Sequence, residues 1–274
     1  MPKTLIPAQR HRMIREYLEV HQIVRSSMLS EMLGASEATI RRDLEWLERQ
    51  GVVERAYGGA ILSTRMPLEP AYTHSAQAHP EEKRWIGRAA AALVKDGDTV
   101  LLNSGTTTTE VLRALRARTD LSNLILVTNN ITAAADAREA PFEVILLGGD
   151  FRPRAMSTVG RFAYDQLRQF CGGMAIIGVD GISLKYGCTT PSSVEAEIGQ
   201  TMVDRTRGPV VIVADHSKWG VVSNYEIASL DRVHTLVVDS GLSPESRDEL
   251  KARSVNVLLA GPEAGTNGLE PATL

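Results

Sequence analysis

The stretch from Ser36 to Gln50, SEATIRRDLEWLERQ, has the pattern of one helix with two different faces. Three apolar side chains recur at the spacing of a buried stripe: Ile40, Leu44 and Leu47. Ser36 stands at the N-cap position, and Gly51 follows where a helix commonly ends in a glycine. The stretch therefore predicts a short amphipathic helix whose apolar face must be covered by other elements.

The opposite face of this predicted helix carries small and basic side chains, namely Ala38, Arg42 and Arg49, and it is flanked by Thr39 and Arg41. Small side chains let a helix approach the bases in the DNA major groove, and arginine pairs with guanine or with phosphate. The face is therefore typical of a DNA-reading helix. An ordinary surface helix with solvated arginines has the same pattern, so the flanking sequence must decide between the two.

Two helical segments precede this helix. Ala8 to Val20 has helical spacing, and a second segment begins at Val24 and ends at Gly34. Only Gly34 and Ala35 then separate the second segment from Ser36. Two short helices joined by a tight turn with a glycine are typical of a helix-turn-helix, in which the second helix reads the DNA.

The sequence after Gly51, VVERAYGGAIL, predicts two short strands around Gly58 and Gly59. A hairpin that follows a recognition helix is a wing. In this position Arg55 and Tyr57 are placed to contact phosphates or the minor groove. Packing against the base of the wing is an equally good interpretation of Tyr57. The first 62 residues thus predict an α+β winged helix-turn-helix domain.

Composition limits the classes of protein to which the chain can belong. Its 274 residues suffice for two domains, and 43% hydrophobic with 23% charged residues is ordinary for a globular protein. No apolar run approaches the roughly 20 residues of a membrane span, and the N-terminus lacks the apolar core of a signal peptide. The two cysteines form no close pair and the histidines are scattered, so we expect a cytoplasmic protein without metal or cofactor.

The net charge of −3 does not indicate nucleic-acid binding by itself. Residues 1–62 carry nine basic and eight acidic side chains, so the expected DNA-binding domain is nearly neutral. The DNA hypothesis depends on where the arginines lie and not on a basic domain.

The remaining chain divides into three parts by composition. Residues 63–80 contain three prolines without clear periodicity and predict a linker. Residues 81–260 form the body, which we expect to sense an effector and to oligomerise. Residues 261–274 have no apolar face, and we expect a disordered tail.

Short apolar strands alternate with helical segments through the body. The predicted strands cover residues 99–102, 124–128, 144–147, 175–179, 210–214 and 235–238. This alternation is typical of an α/β, Rossmann-like domain with a doubly wound parallel sheet.

Polar and glycine-rich residues gather where these strands end, which is where open α/β sheets bind ligands. The loop from Ser104 to Thr107 lies between a strand and a helix, where backbone N–H groups and hydroxyls form an anion site. A plain capping turn is the alternative. The loop has neither the glycine–lysine spacing of a Walker loop nor the glycine spacing of a dinucleotide site.

The candidate effector-binding residues are Asn103, Ser104, Gly105, Thr106, Thr107, Asn129, Gly149, Arg152, Asp180, Gly181, Glu195 and Lys218. The charged candidates to meet sugar hydroxyls are Asp180, Glu195, Lys218 and, in addition, Asp215. For each of them a capping or surface role is the alternative. Arg152 either clamps a phosphate or pairs with an acid.

The segment SEATIRRDLEWLERQGVVERAYGGA closely resembles the head of the DeoR family of bacterial transcription regulators, of which TIRRDL and the glycine pair are hallmarks. The motifs SGTTTT, LVTNN, LLGGDFRP, GVDGIS and ADHSKWG follow in the order of that family's effector domain. That domain is related to ribose-5-phosphate isomerase and coenzyme A transferases. The resemblance covers nearly the whole chain apart from the linker and the tail.

The resemblance implies DNA contacts by Ser36, Ala38, Thr39, Arg41 and Arg42, and it implies a phosphorylated sugar as effector. In one position the chain departs from the family. The family usually has an aspartate before SGTT, where this chain has Asn103.

We therefore expect a transcription regulator that represses a sugar catabolic operon, binds double-stranded operator DNA as a dimer or larger oligomer, and is relieved by a sugar phosphate. One alternative is a sugar-phosphate isomerase fused to a DNA-binding head. Isomerisation needs a placed base, and the loop GVDGIS offers only Asp180, so we expect no catalytic residue. A DNA-binding protein without a small ligand is the third hypothesis.

Overall fold

The computed structural model divides the chain into two compact units, Met1–Leu68 and Glu69–Leu274, each of which is described by itself. We call them the head and the sensor unit. The structure describes residues 5–21, 23–49, 52–56, 58–62 and 71–262.

The head contains helices and strands that alternate in the order of a winged helix. They are α1 (Pro7–His21), β1 (Ile23–Arg25), α2 (Ser26–Leu33), α3 (Glu37–Arg49), β2 (Val53–Ala56) and β3 (Gly59–Leu62). The three strands form an antiparallel sheet in the order β1-β3-β2. The α+β winged helix-turn-helix prediction is confirmed. The assignment of Val24 to the second helical segment is wrong, because Val24 lies in β1, which pairs with β3, the second strand of the wing.

One apolar cluster holds the head together. Ile40, Leu44 and Leu47 of α3 are at most 1% exposed, which confirms the predicted stripe. They pack with apolar side chains of α1, α2 and the wing. Gly34 ends α2 in the left-handed conformation with φ of 59°, so the tight turn before α3 favours glycine, which adopts this conformation without strain.

The sensor unit begins with α4 (Tyr72–Gln77), inside the predicted linker. The helices that follow are α5 (Pro80–Ala91), α6 (Thr106–Arg116), α7 (Ile131–Asp136), α8 (Gly160–Leu167), α9 (Ser193–Asp204) and α10 (Pro244–Ala252). Its strands are β4 (Thr99–Leu102), β5 (Ile125–Thr128), β6 (Glu143–Leu146), β7 (Asp150–Arg152), β8 (Ser157–Val159), β9 (Met174–Gly178), β10 (Gly181–Ser183), β11 (Gly187–Thr190), β12 (Val210–Val213), β13 (Tyr225–Ala228), β14 (Thr235–Asp239) and β15 (Asn256–Ala260).

A seven-stranded sheet in the order β15-β14-β12-β9-β4-β5-β6 forms the centre of the sensor unit, and every neighbouring pair is parallel. Successive side chains of a strand point to opposite faces, so an apolar strand fills two cores. Leu101 packs with α8, α9 and α10, whereas Val100 and Leu102 pack with α5, α6 and α7. The α/β Rossmann-like prediction is confirmed. Because the strands are parallel, their carboxyl ends, where the polar residues lie, meet along one edge of the sheet.

Several elements of the sensor unit were not predicted. They are α4, α7, β15, the two-stranded ladder β7-β8 and the antiparallel sheet β10-β11-β13. Each of these helices and strands consists of three to six residues. β15 is the edge strand of the seven-stranded sheet and pairs only with β14 among the described strands. Segments this short do not complete enough turns or alternations to show a period.

The predicted linker is too long at its C-terminal end. The backbone N–H of Tyr72 donates to the carbonyl of Arg154 at 2.8 Å, and the Tyr72 hydroxyl lies 2.9 Å from the Thr109 hydroxyl. These bonds hold α4 against the rest of the sensor unit, although the sequence of α4 is almost entirely polar. Residues 63–70 of the predicted linker and 263–274 of the predicted tail lie outside the described residues.

Candidate DNA-reading helix and effector site

The solvent face of α3 presents the residues predicted to read DNA. Ser36, Ala38, Arg41 and Arg42 are exposed, and Thr39 is half-buried. The Ser36 hydroxyl accepts from the Thr39 N–H at 3.2 Å and lies 2.9 Å from the Thr39 hydroxyl. Ser36 is therefore the N-cap of α3, and its hydroxyl is already engaged within the helix.

The wing places a further arginine beside α3. Arg55 on β2 is exposed, and its guanidinium donates to the backbone carbonyl of Arg41 at 3.4 Å. Tyr57, predicted to contact DNA or the wing base, lies outside the described residues. Gly59 permits the close approach of β3 to β1, since a Cβ atom there would lie 2.0 Å from the Val24 carbonyl oxygen.

Asp43, inside the TIRRDL segment, is a buried carboxylate that the sequence analysis missed. Its oxygens accept from Arg10 of α1 at 2.6 and 3.0 Å and lie 2.8 Å from His11 Nε2. The His11 ring in turn stacks on Trp46 at 4.3 Å. Asp43 lies three residues after Ile40, on the apolar stripe, and this position was the available signal. It ties α3 to α1 and so fixes the angle at which the arginines are presented.

In the sensor unit, the Ser104–Thr107 loop connects β4 to the N-terminus of α6. Gly105 is the N-cap, with φ of 147°, a conformation that side chains rarely adopt. Its carbonyl accepts from the Thr109 N–H at 3.1 Å, from the hydroxyls of Thr108 and Thr109, and from Asn130 at 3.1 Å. The loop is therefore held rigidly, and a glycine cannot cap the first N–H groups of α6 with a side chain.

Glu195 at the start of α9 is the centre of a polar cluster, although the sequence left its role open. It accepts from Ser104 at 2.8 Å, from Arg152 at 3.1 Å and from Ser157. Only 9% of Glu195 is exposed, so its charge is compensated mainly by Arg152. The acid-pairing interpretation of Arg152 is confirmed. Ser157 was missed, because nothing in its local sequence shows that β8 runs beside α9.

Two asparagines at strand ends are buried for different reasons. Asn103 donates to the Gly178 carbonyl at 2.9 Å and accepts from the Gly178 N–H at 2.7 Å. Asn129 is fully buried and its side-chain amide donates to the Thr158 carbonyl at 3.0 Å, but its side-chain oxygen Oδ1 has no hydrogen-bond partner among the described residues. A buried acceptor without a donor is costly unless a ligand or water supplies one.

Three predicted residues have structural explanations of their own. Asp180 accepts from the Thr190 hydroxyl at 2.9 Å. A Cβ atom at Gly149 would lie 2.5 Å from the Val159 carbonyl oxygen, and one at Gly181 would lie 2.4 Å from that of Val221. These two glycines are therefore required for close backbone packing.

Two lysines belong to the same edge of the sheet. Lys218 is half-buried in a short 3-10 helix, His216–Lys218. Lys83 of α5 is 4% exposed and donates to the carbonyls of Ser75 and Ala78, both at 2.5 Å. Burial lowers the pKa of Lys83, Asp215 opposes this shift, and the charge of Lys218 adds to it. The sequence analysis missed Lys83, although it lies three residues before Ile86 on an apolar stripe.

Within the described part of the chain, no helix is both long and apolar enough to span a membrane.

Comparison with known proteins identifies both units. Residues 10–66 match the DeoR-like helix-turn-helix domain, and residues 78–240 match the DeoR C terminal sensor domain. The chain is similar to the HTH-type transcriptional regulator GlpR of Haloferax volcanii, with 34% identity over 93% of this chain and 98% of that protein. It is also similar to the HTH-type transcriptional repressor GlcR of Bacillus subtilis, with 31% identity over 92% and 96% of the two chains.

Among solved structures, ribose 5-phosphate isomerase A from Methanocaldococcus jannaschii is similar at a TM-score of 0.39, with 16% identity over 52% of this chain and 55% of that one. The family matches, which together cover both units, are more informative. This chain belongs to the DeoR family of helix-turn-helix transcription regulators.

Proposed function

We propose that this protein is a repressor that binds operator DNA through α3 and leaves it when a phosphorylated sugar binds the sensor unit. The rigid loop around Gly105 is the single observation that carries the effector assignment. Two similar proteins carry names of a transcriptional regulator and a transcriptional repressor, which supports the repressor assignment. Operator DNA also implies that the protein acts in the cytoplasm.

The DNA-reading role is supported by the two different faces of α3, one buried in the head and one exposed to solvent. Ile40 and Leu44 are buried, and Asp43 accepts a hydrogen bond from Arg10 of α1, so the buried face of the helix is fixed to the rest of the head. Arg41 and Arg42 are exposed on the other side. Arginines on a fixed helix lose less conformational freedom on binding, which favours bidentate contacts to guanine and phosphate.

The phosphate end of the effector is assigned to the N-terminus of α6. The Gly105 carbonyl accepts hydrogen bonds from Thr109 and Asn130, which fixes the peptide before α6. Among the described residues no side chain caps α6, so the N–H groups of Thr106 and Thr107 in its first turn are available to an anion. Thr106 is half-exposed and adds a hydroxyl donor. The hydroxyls of Thr108 and Thr109 bond to the Gly105 carbonyl and are assigned to the loop, not to the ligand.

The sugar end is assigned to the polar residues beside this loop. The unpaired side-chain oxygen Oδ1 of Asn129 can accept from a sugar hydroxyl, and the Glu195 cluster supplies hydroxyl and guanidinium groups. Lys218 contributes a positive charge at the same edge of the sheet. A phosphorylated sugar matches this combination of anion donors and hydroxyl partners.

The chain is not an enzyme, since its family consists of transcription regulators. The local chemistry agrees with this. Asp180, the one candidate base in its loop, accepts a hydrogen bond from Thr190.

Operator release tests the effector assignment. We expect a phosphorylated sugar to dissociate the full-length protein from its operator in a gel shift and to raise the unfolding temperature, whereas its unphosphorylated parent does neither. Gly105→Val should abolish both responses, because a side chain is strained there and blocks approach to the loop. Gly97→Val is the matched control, since Gly97 also has positive φ but lies at the opposite end of β4 with open space around it.

Thr106→Ala should weaken the binding of the sugar phosphate by about 1.5–3 kcal/mol, the contribution of a hydrogen bond to a charged group. If no sugar phosphate stabilises the protein, or if it binds Gly105→Val as well as wild type, the phosphate-loop assignment fails.

Self-association is the last part of this proposal. A twofold operator requires two heads, and we assign their association to the sensor unit. Phe151 of β7 is 54% exposed and Phe162 of α8 is 72% exposed, on two elements that pack together. Light scattering should give at least a dimer, and the double variant Phe151→Ser, Phe162→Ser should halve its mass. Tyr225→Ser, which removes another exposed ring of the sensor unit, is the control.

A further inference from the structure

A second cluster of polar side chains, none of which the effector assignment uses, lies between the start of α5 and the end of β12, next to Lys218 in the sequence. His79 is the N-cap residue of α5, and Asp215 and His216 follow β12. One potential metal-ligand atom from each of the three lies within 4.8 Å of the others. The two imidazole rings meet edge to face, with centroids 5.0 Å apart.

His216 is held in one orientation. Its Nδ1 lies 2.8 Å from one carboxylate oxygen of Asp239, and its backbone N–H donates to the other at 2.8 Å. Asp239 is 3% exposed at the end of β14 and cannot easily rearrange. A carboxylate on Nδ1 is the common partner of a metal-binding histidine, since it leaves Nε2 as the basic nitrogen on the far side of the ring.

Asp215 is oriented in a similar way. It is 2% exposed, and one of its carboxylate oxygens accepts from the backbone N–H of Ser217 at 3.1 Å and from the Ser217 hydroxyl. Its second oxygen accepts no hydrogen bond from any of the described residues. A buried carboxylate with one oxygen fixed and one available is a pre-oriented ligand.

His79 has a backbone conformation that needs an explanation. Its φ of 49° and ψ of 50° lie in the left-handed region, which a residue with a Cβ atom seldom adopts. Such strained positions cluster at functional sites. Its side chain is half-buried, with Nδ1 3.8 Å from a carboxylate oxygen of Glu82, and one of its ring nitrogens lies within 4.8 Å of ligand atoms of Asp215 and His216.

We propose that His79, Asp215 and His216 form a binding site for one divalent transition metal ion, with Asp239 positioning His216. Two imidazole nitrogens and one carboxylate oxygen suit zinc, cobalt or nickel, whereas calcium and magnesium prefer oxygen ligands alone. At metal–ligand distances of about 2.1 Å, tetrahedral ligand atoms lie roughly 3.4 Å apart. The three ligand atoms, now within 4.8 Å of one another, would therefore move closer by at most about 1.5 Å, and water completes the coordination.

The nearby positive charge does not occupy this site. The ammonium group of Lys83 is bonded to the carbonyls of Ser75 and Ala78. Asp215, Asp239 and Glu82 supply more negative charge around the two histidines than Lys83 and Lys218 supply positive charge. A bound metal would join the segment that enters α5 to the loop after β12, and so stabilise the beginning of the sensor unit.

Cobalt titration of the EDTA-treated full-length protein tests the proposal. We expect visible d–d absorption that saturates at one Co²⁺ per chain, is lost on addition of Zn²⁺, and accompanies a higher unfolding temperature. His79→Asn and His216→Gln should each remove most of the absorption, and asparagine tolerates the left-handed backbone at position 79. Asp239→Asn should weaken affinity by about 10–100-fold.

His74→Asn is the matched control, because His74 is exposed on α4, a few residues before the site. It should leave the titration unchanged, and thermal unfolding without metal should show that all variants fold. Absence of stoichiometric binding at micromolar protein overturns the proposal. Equal binding by wild type and by folded His79→Asn and His216→Gln variants also overturns it.

Discussion

The two functional regions of this protein are built in opposite ways. In α3 the residues that fix the helix and those that face solvent alternate within one stretch of six, Thr39 to Leu44. In the sensor unit, Glu195 meets Ser104, Arg152 and Ser157, which are separated from it by 91, 43 and 38 residues. The first region is encoded by local periodicity, and the second exists only after the sheet has formed.

This difference determines how each region should respond to substitution. A side chain of α3 either supports the fold of the head or faces the DNA, so the effects on stability and on binding should separate. At the sensor edge each polar group bonds to several others, so stability and ligand affinity should change together.

The largest expected effect is the loss of the buried carboxylate in the head. Asp43→Ala leaves Arg10 buried without its partner, and breaking a buried ion pair of this kind costs about 3–5 kcal/mol. We expect calorimetry of the full-length protein to show a lower unfolding temperature for the head and an unchanged transition for the sensor unit. Operator binding should be lost as a consequence.

Glu48→Ala is the control for this variant, since Glu48 is exposed on the same helix. A stable head in Asp43→Ala would mean that the Arg10 contact does not determine how α3 is held.

The second prediction concerns the opposite face of the same helix. Arg41→Ala and Arg42→Ala should each weaken operator binding by about 1–3 kcal/mol if the side chain contacts a base. Both side chains are exposed, so the unfolding temperature should not change. A gel shift at fixed salt measures the affinity, with Arg88→Ala of α5 as a control for the lost charge. Unchanged affinity in the double variant would remove α3 from the reading role.

The sequence predicted most of the head because its helices are amphipathic and long enough to show a period. The stripe Ile40, Leu44, Leu47 is buried as expected. Strand β1 was not predicted, since three residues between two helices carry too little pattern. Its pairing with β3 is a tertiary contact that local sequence does not encode.

In the sensor unit the sequence predicted the parallel strands and the edge at which polar residues meet, but not which of those residues touch. Glu195 was ambiguous, because an acid in the first turn of a helix is common for electrostatic reasons alone. Asp43 and Lys83 show that one usable signal was overlooked. A charged residue on the apolar stripe of a helix must have a buried partner, since an unpaired buried charge is costly.

The third prediction tests whether the Glu195 cluster behaves as one unit. Glu195→Gln replaces one acceptor oxygen by a donor that faces other donors, and it removes the negative charge that pairs with Arg152. We expect the sensor unit to lose about 1.5–3 kcal/mol of stability, measured by denaturant unfolding, and the effector to bind more weakly. Glu197→Gln, an exposed change on the same helix, should affect neither. Weaker effector binding at unchanged stability would show that Glu195 acts on the ligand alone.

The smallest expected effect concerns Asn103, where the chain departs from the aspartate usual in its family. Both atoms of the Asn103 amide are engaged by the Gly178 backbone, one as donor and one as acceptor. Aspartate keeps the acceptor but cannot donate to the Gly178 carbonyl, so Asn103→Asp should cost about 1 kcal/mol of stability. Thermal unfolding measures this, with Asn256→Asp on an exposed position of β15 as the control for the added charge. If stability is unchanged while the preference among sugar phosphates shifts, Asn103 faces the effector, and the bond to Gly178 does not explain why asparagine stands here.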